Sequence, residues 1–121
     1  MTRVFVYGSL RSGGAAHDAV LGDRVRDVRP ASIPGYDLYG RGLPYPFVRE
    51  GPGRVHGELL EVAGGDDTLR ELDRYEGDEY MRRWVDVDAG DRRVAAWTYV
   101  ATPEVDLPAA SLIDSGDWLH P

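Results

Sequence analysis

Glycine and proline divide this chain into short apolar segments, and that division limits the folds open to it more than any other feature. The 121 residues include 15 glycines and 8 prolines. The segments between them are rich in valine and aromatic residues, and some have the alternation typical of half-buried strands. Strands are therefore predicted at residues 4–7, 25–33, 36–39, 46–49, 55–62, 84–88 and 94–100.

Two further segments are predicted as helices. Residues 15–21 can form two turns that end at Gly22, and a longer helix is predicted from about residue 67 to residue 76, with Gly77 as its stop. Many short strands and two helices in a chain of this length favour one α+β domain over residues 1–121, built on a curled or closed sheet.

Composition excludes several classes of function. The chain has no cysteine, and all 14 of its basic residues are arginine, so a thiol nucleophile and lysine Schiff-base chemistry are ruled out. The net charge of −7 disfavours nucleic-acid binding. The three histidines have no metal-ligand spacing, and we expect neither a metal nor a cofactor. Without a signal peptide or a long apolar run, we expect a cytoplasmic protein with no membrane partner, either a monomer or a weak homodimer.

One carboxylate falls on the apolar face of the longer predicted helix. Leu69 and Leu72 share a face, and Glu76 continues it at the carboxyl end of the helix. Desolvation should raise the pKa of Glu76 and make it useful as an acid or base near neutral pH. Alternatively, the helix ends one residue early and Glu76 meets an arginine at the rim. Glu79 is the competing carboxylate, although no helical phase ties it to the core.

The turn after the first strand is a candidate anion-binding site. Tyr7, Gly8, Ser9 and Leu10 end that strand, and glycine there allows a positive φ. Consecutive backbone N–H groups in such a turn can form a concave nest for a carboxylate or phosphate. An ordinary strand-ending turn is the alternative.

Aromatic residues are expected in two settings. Tyr45 and Tyr80 lie in loops or at strand starts, where either can line a pocket. The others lie on predicted strands and are expected to fill the core; they are Phe5, Trp84, Trp97 and Tyr99.

Four segments, in order from about residue 3 to residue 100, resemble motifs of the gamma-glutamylcyclotransferase-like superfamily. The first is Val4-Phe5-Val6-Tyr7-Gly8-Ser9-Leu10, and the second is Val55-His56-Gly57-Glu58-Leu59-Leu60-Glu61-Val62. The third is Leu72-Asp73-Arg74-Tyr75-Glu76-Gly77 followed by Tyr80-Met81-Arg82, and the fourth is Ala96-Trp97-Thr98-Tyr99-Val100.

This resemblance implies a small mixed β-barrel of about five to seven strands, flanked by two helices, with a cavity at one end. It places the substrate-binding loop on Tyr7, Gly8, Ser9 and Leu10 and the general acid–base on Glu76. The N–H groups of residues 8–10 would hold either the α-carboxylate of the substrate or the developing oxyanion. Tyr80 is expected to orient a substrate or Glu76.

The implied reaction is the cyclisation of a small gamma-glutamyl amine or amide to 5-oxoproline, with release of the amine. Leu10 is closer to the branch that acts on gamma-glutamylamines. One departure is Ala16, because relatives often have asparagine before the histidine that matches His17. Two alternatives are a non-catalytic barrel that binds a small carboxylated ligand, and a biosynthetic tailoring enzyme that removes a gamma-glutamyl protecting group.

Overall fold

The computed structural model describes residues 1–121. Five strands and one α-helix form its main elements; two short helical turns lie between β1 and β2, and a third lies in the C-terminal tail. The strands are β1 (Thr2–Val6), β2 (Val25–Tyr39), β3 (Phe47–Val62), β4 (Tyr80–Ala89) and β5 (Arg92–Ala101), and the helix α1 is Gly65–Glu76. The turns are a π-helical turn at His17–Leu21 and 3-10 turns at Gly22–Arg24 and Ala109–Ser111.

The five strands close into a barrel in the order β1-β3-β2-β4-β5. Neighbouring strands are antiparallel except β1 and β5, which run parallel and pair at Val4 and Trp97. The expected mixed barrel with flanking helices is confirmed, at the lower end of the predicted strand number.

The observed strands are fewer and longer than those predicted from the positions of proline and glycine in the sequence. Segments 25–33 and 36–39 are one strand, β2, whose register shifts between Pro34 and Tyr36 instead of breaking. Gly35 absorbs the shift with a φ of +80°. Apart from its long ladder with β3, β2 makes only one strand pair, between Ser32 and Asp88 of β4. Proline is tolerated on such a nearly free edge, because no second ladder is interrupted there.

The predicted helices differ in how well the structure matches them. The segment expected at residues 15–21 is only a five-residue π-helical turn. By contrast, α1 ends at Glu76 with Gly77 as its stop, as predicted, and the Gly77 N–H donates to the Asp73 carbonyl at 3.1 Å. Leu69 and Leu72 are both buried against the barrel, as their shared helix face predicted.

Two apolar clusters hold the fold together. One fills the barrel and includes Phe5 and Val87; the other lies between α1 and the outer barrel wall and includes Leu72 and Tyr99. The core prediction was wrong for Trp84, which is 55% exposed. Val85 and Val87, at the alternate positions that follow on β4, are buried inside the barrel, so the pleat turns Trp84 outward.

Outside the barrel, the Trp84 ring lies edge-on to the Trp97 ring, with centroids 4.8 Å apart. No helix of the structure is long and apolar enough to cross a membrane.

Candidate active site

A cavity of about 510 Å3 opens at the end of the barrel where β1 and β5 finish and β4 begins. Its walls come from the loop after β1, the loop before β3, the carboxyl end of α1 and one residue of the C-terminal tail. The lining residues are Phe5, Val6, Tyr7, Gly8, Ser9, Leu10, Pro44, Tyr45, Pro46, Tyr75, Glu76, Gly77, Asp78, Glu79, Tyr80, Tyr99 and Trp118.

The structure brings together every residue that the sequence placed in a site. The loop formed by residues 7–10, here called the binding loop, faces the cavity together with Glu76 and Tyr80. Tyr45 also lines it, as does the competing carboxylate Glu79. Residues that lie about 70 positions apart in the sequence thus surround one space.

Glu76 is the last residue of α1 and is half-buried at the cavity. Burial raises the pKa of Glu76 from its ordinary value of 4.5 to about 7. No arginine lies within ion-pair distance of it, so the alternative of a rim salt bridge is wrong. A carboxyl group with these properties can both accept and return a proton near neutral pH.

The binding loop has backbone N–H groups that are available to bind a ligand. None of the N–H groups of Gly8, Ser9 and Leu10 donates to a main-chain carbonyl. The expectation of a positive φ at Gly8 was wrong, because Gly8 is not among the glycines in that region. Glycine is needed there for another reason: a Cβ atom would lie 2.8 Å from Cγ of Pro46.

Side chains outside the cavity hold the binding loop in place. The Glu58 carboxylate accepts hydrogen bonds from both the N–H and the hydroxyl of Ser12, each 2.6 Å long. The Nδ1–H of His17 donates to the Leu10 carbonyl at 2.8 Å. The Leu10 side chain is itself buried in the cluster beneath α1. The loop is therefore pinned just after its last cavity-lining residue.

Composition and periodicity did not identify Glu58 as a residue that holds the binding loop. The available signal was the glycine before it, since glycine within a strand often marks a close approach of another chain segment. The structure confirms that approach: a Cβ atom at Gly57 would lie 2.1 Å from the carbonyl oxygen of Val6. Gly57 thus lets β3 come close to the end of β1, and Glu58 then reaches the loop that follows β1.

Tyrosine hydroxyl groups brace the cavity walls. Tyr80 donates to the Pro46 carbonyl at 2.7 Å, and its ring stacks on Phe47 with a centroid separation of 4.6 Å. Tyr7 donates to the Tyr99 carbonyl at 2.6 Å. Burial raises the pKa of both tyrosines, and the negative charge of Glu76 adds to this effect. Both hydroxyl groups therefore keep their protons, and each retains lone pairs that can accept a further hydrogen bond.

The charged side chains that line the cavity are all acidic. They are Glu76, Asp78 and Glu79, and no arginine or histidine is among the lining residues. A carboxylate entering the cavity can therefore be held only by neutral donors, and the free N–H groups of the binding loop are the obvious ones. No group of three or more histidine, aspartate or glutamate side chains is arranged to hold a metal ion.

Comparison with known proteins points to one family. Residues 4–120 match the family model described as "Gamma-glutamyl cyclotransferase, AIG2-like". The chain is 39% identical to the gamma-glutamylcyclotransferase family protein ytfP of Citrobacter rodentium, covering 97% of this chain and 95% of that protein. It is 40% identical to protein AIG2 C of Arabidopsis thaliana, covering 95% of this chain and 70% of that protein.

A solved structure agrees with these sequence matches. The solution structure of protein ytfP from Escherichia coli superimposes with a TM-score of 0.67 at 35% identity, covering 98% of this chain and 96% of that one.

Proposed function

The chain belongs to the gamma-glutamyl cyclotransferase, AIG2-like family, and we propose that it converts a small gamma-glutamyl amine or amide to 5-oxoproline and releases the amine. The observation that carries the proposal is the unpaired, half-buried Glu76, with its pKa raised to about 7, in the same cavity as the binding loop with its free N–H groups.

In the proposed reaction, Glu76 acts first as a base. Its carboxylate removes a proton from the α-ammonium group of the substrate, because only the neutral amine has a lone pair for attack. The nitrogen then forms a bond to the γ-carbonyl carbon, which closes the five-membered ring. The protonated Glu76 next gives its proton to the departing nitrogen as the bond from that nitrogen to the γ-carbon breaks. The ring nitrogen loses its remaining extra proton to solvent, where the released amine takes one up.

The binding loop supplies the second part of the proposed site. The N–H groups of Gly8, Ser9 and Leu10 hold the α-carboxylate of the substrate, since no basic side chain lines the cavity. Holding that carboxylate orients the α-nitrogen toward the γ-carbonyl. Orientation of this kind can supply a large share of the rate enhancement of an intramolecular reaction.

A panel of gamma-glutamyl amides tests the proposal. The purified protein is incubated with gamma-glutamyl derivatives of ammonia, alkylamines, aromatic amines and amino acids, and 5-oxoproline is quantified. Formation of 5-oxoproline with an equal amount of free amine is expected for at least one amine. Calorimetric binding of the same compounds without product would instead indicate a binding barrel. Turnover confined to an amine of a biosynthetic intermediate would favour the tailoring role.

A further inference from the structure

Trp118 lines the cavity although it lies in the C-terminal tail, far from every motif discussed above. Main-chain hydrogen bonds fasten the tail to the barrel before it reaches that point. The Ile113 N–H donates to the Leu38 carbonyl at 2.8 Å, and the His56 N–H donates to the Gly116 carbonyl at 2.8 Å. The Ile113 side chain is buried in the barrel cluster. Trp118 is therefore carried by an anchored segment.

Two sets of contacts fix the position of Trp118. Its indole ring packs on Gly40, where a Cβ atom would lie 2.4 Å from the ring. The residue before it, Asp117, accepts a 3.0 Å hydrogen bond from the guanidinium of Arg11 and another from the Leu119 N–H. Both members of the Arg11–Asp117 pair are largely buried. Because Arg11 directly follows the binding loop, this ion pair ties the position of Trp118 to that loop.

The cavity lining offers both polar groups and apolar surface. The polar groups include the Glu76 carboxyl and the N–H groups of the binding loop, whereas Pro44, Tyr45, Pro46 and Trp118 contribute apolar surface. The gamma-glutamyl half of the proposed substrate carries the α-carboxylate and α-ammonium, so it is expected to engage the polar groups. A cavity of about 510 Å3 is much larger than a glutamyl group. The remaining space, which Trp118 helps to line, is left for the amine.

We infer that Trp118 contacts the amine half of the substrate and selects among leaving amines by their apolar surface. The inference rests on the proposed function and adds to it a specificity-determining residue. An indole face gains free energy by covering hydrocarbon or aromatic groups, at roughly 25 cal/mol per Å2 of apolar surface removed from water. The gain is absent when the leaving group is ammonia.

The test compares three gamma-glutamyl substrates whose leaving groups are ammonia, n-butylamine and benzylamine. We measure kcat and KM for the wild type, for Trp118→Ala and for Trp118→Phe. In Trp118→Ala, the ratio of kcat/KM for the benzylamide to that for the ammonia derivative should fall by about tenfold, which corresponds to about 1.4 kcal/mol. The change should appear mainly as a higher KM for the benzylamide. Trp118→Phe should restore most of the ratio.

A matched control and a folding check keep the test interpretable. Trp84→Ala removes another tryptophan, one exposed on the outer barrel face and away from the cavity, so the ratio should stay at the wild-type value. Thermal unfolding followed by circular dichroism checks that each variant folds. If Trp118→Ala does not fold, Trp118→Leu, which keeps an apolar side chain in the tail, replaces it.

The possible outcomes separate the inference from the proposed function. An equal loss of kcat/KM with all three substrates would show a merely structural role for Trp118 and overturn the inference. An unchanged ratio in a folded, active variant would overturn it too, while leaving the cyclotransferase proposal intact. If the wild type forms no 5-oxoproline from any substrate, the proposed function fails and the inference falls with it.

Discussion

The hydroxyl of Tyr99 donates a 2.6 Å hydrogen bond to the Asp73 carboxylate, which joins the barrel wall to α1 one turn before Glu76. The same carboxylate accepts from the Arg82 guanidinium at 3.0 and 3.3 Å. Asp73 thus links β5, β4 and α1. Because Glu76 itself has no polar partner on the protein, its position depends on how firmly this part of the helix is held.

Replacing Tyr99 by phenylalanine should therefore affect both stability and catalysis. The change removes one hydrogen bond to a charged acceptor, and the free energy of unfolding should fall by about 2 kcal/mol, as measured by urea denaturation. Turnover should fall severalfold because Glu76 is less well positioned. Tyr39→Phe provides the matched control, because the Tyr39 side chain lies on β2 away from the cavity and its hydroxyl makes no hydrogen bond within the protein; it should leave kcat near the wild-type value.

Replacing Glu76 by glutamine should lower kcat by about a hundredfold or more, because an amide cannot accept and return a proton at neutral pH. Substrate binding measured by calorimetry should be largely kept, since the binding loop is untouched. Glu79→Gln is the matched control, because Glu79 also lines the cavity but is exposed. We expect its turnover to stay within a few-fold of the wild type. An inactive Glu79→Gln beside an active Glu76→Gln would contradict the assignment.

The raised pKa of Glu76 predicts a specific pH dependence of activity. Below about pH 7 the carboxyl group is protonated in the folded protein and cannot act as a base. A plot of kcat/KM against pH should therefore fall on the acid side with a midpoint near 7. An acid limb with a midpoint near 4.5 would mean that Glu76 is solvated as in a free peptide.

The raised pKa of Glu76 also predicts how the free energy of unfolding changes with pH. Between pH 4.5 and about 7 the unfolded chain loses the Glu76 proton while the folded chain keeps it, so the free energy of unfolding should decrease as pH rises. Above pH 7 the full cost of the buried charge is present, at about 1–3 kcal/mol for a half-buried group. Glu76→Gln should be more stable than the wild type at pH 8 by that amount. Chemical denaturation of both proteins at pH 5 and pH 8 measures the difference.

Replacing Gly8 by valine should abolish substrate binding while leaving the protein largely folded. The physical reason is contact with Pro46, since even a Cβ atom at Gly8 would lie 2.8 Å from Cγ of that proline. Gly8→Ala should give a smaller loss, and adding Pro46→Ala should recover part of it by removing Cγ. If the double variant binds no better than Gly8→Ala alone, the crowding account is wrong.

Replacing Glu58 by alanine should raise KM severalfold, because Ser12 loses both hydrogen bonds that pin the end of the binding loop. Ser12→Ala removes one of the two, and the effects of the two variants should be less than additive in the double variant. Glu61→Ala is the control, since Glu61 lies on the same strand but pairs with Arg3, away from the cavity.

Local sequence patterns determined the helix and its unusual carboxylate. The spacing of Leu69, Leu72 and Glu76 is a property of the helix repeat, and Gly77 marked the end of α1. Burial of that face followed from the same spacing, and so did the direction of the Glu76 pKa shift. These features needed only neighbours within two turns of one another.

Tertiary structure decided the continuity of the strands, the exposure of Trp84 and the long-range contacts of the site, none of which local patterns could predict. Pro34 and Gly35 looked like strand breaks, yet pairing along β3 carries β2 through them. Trp84 looked like a core residue, but the barrel pleat turns it outward. The role of Gly8 and the place of Trp118 depend on contacts with Pro46 and Gly40, which lie far away in the sequence. Such contacts exist only once the barrel closes, because closure brings distant backbone segments within van der Waals distance.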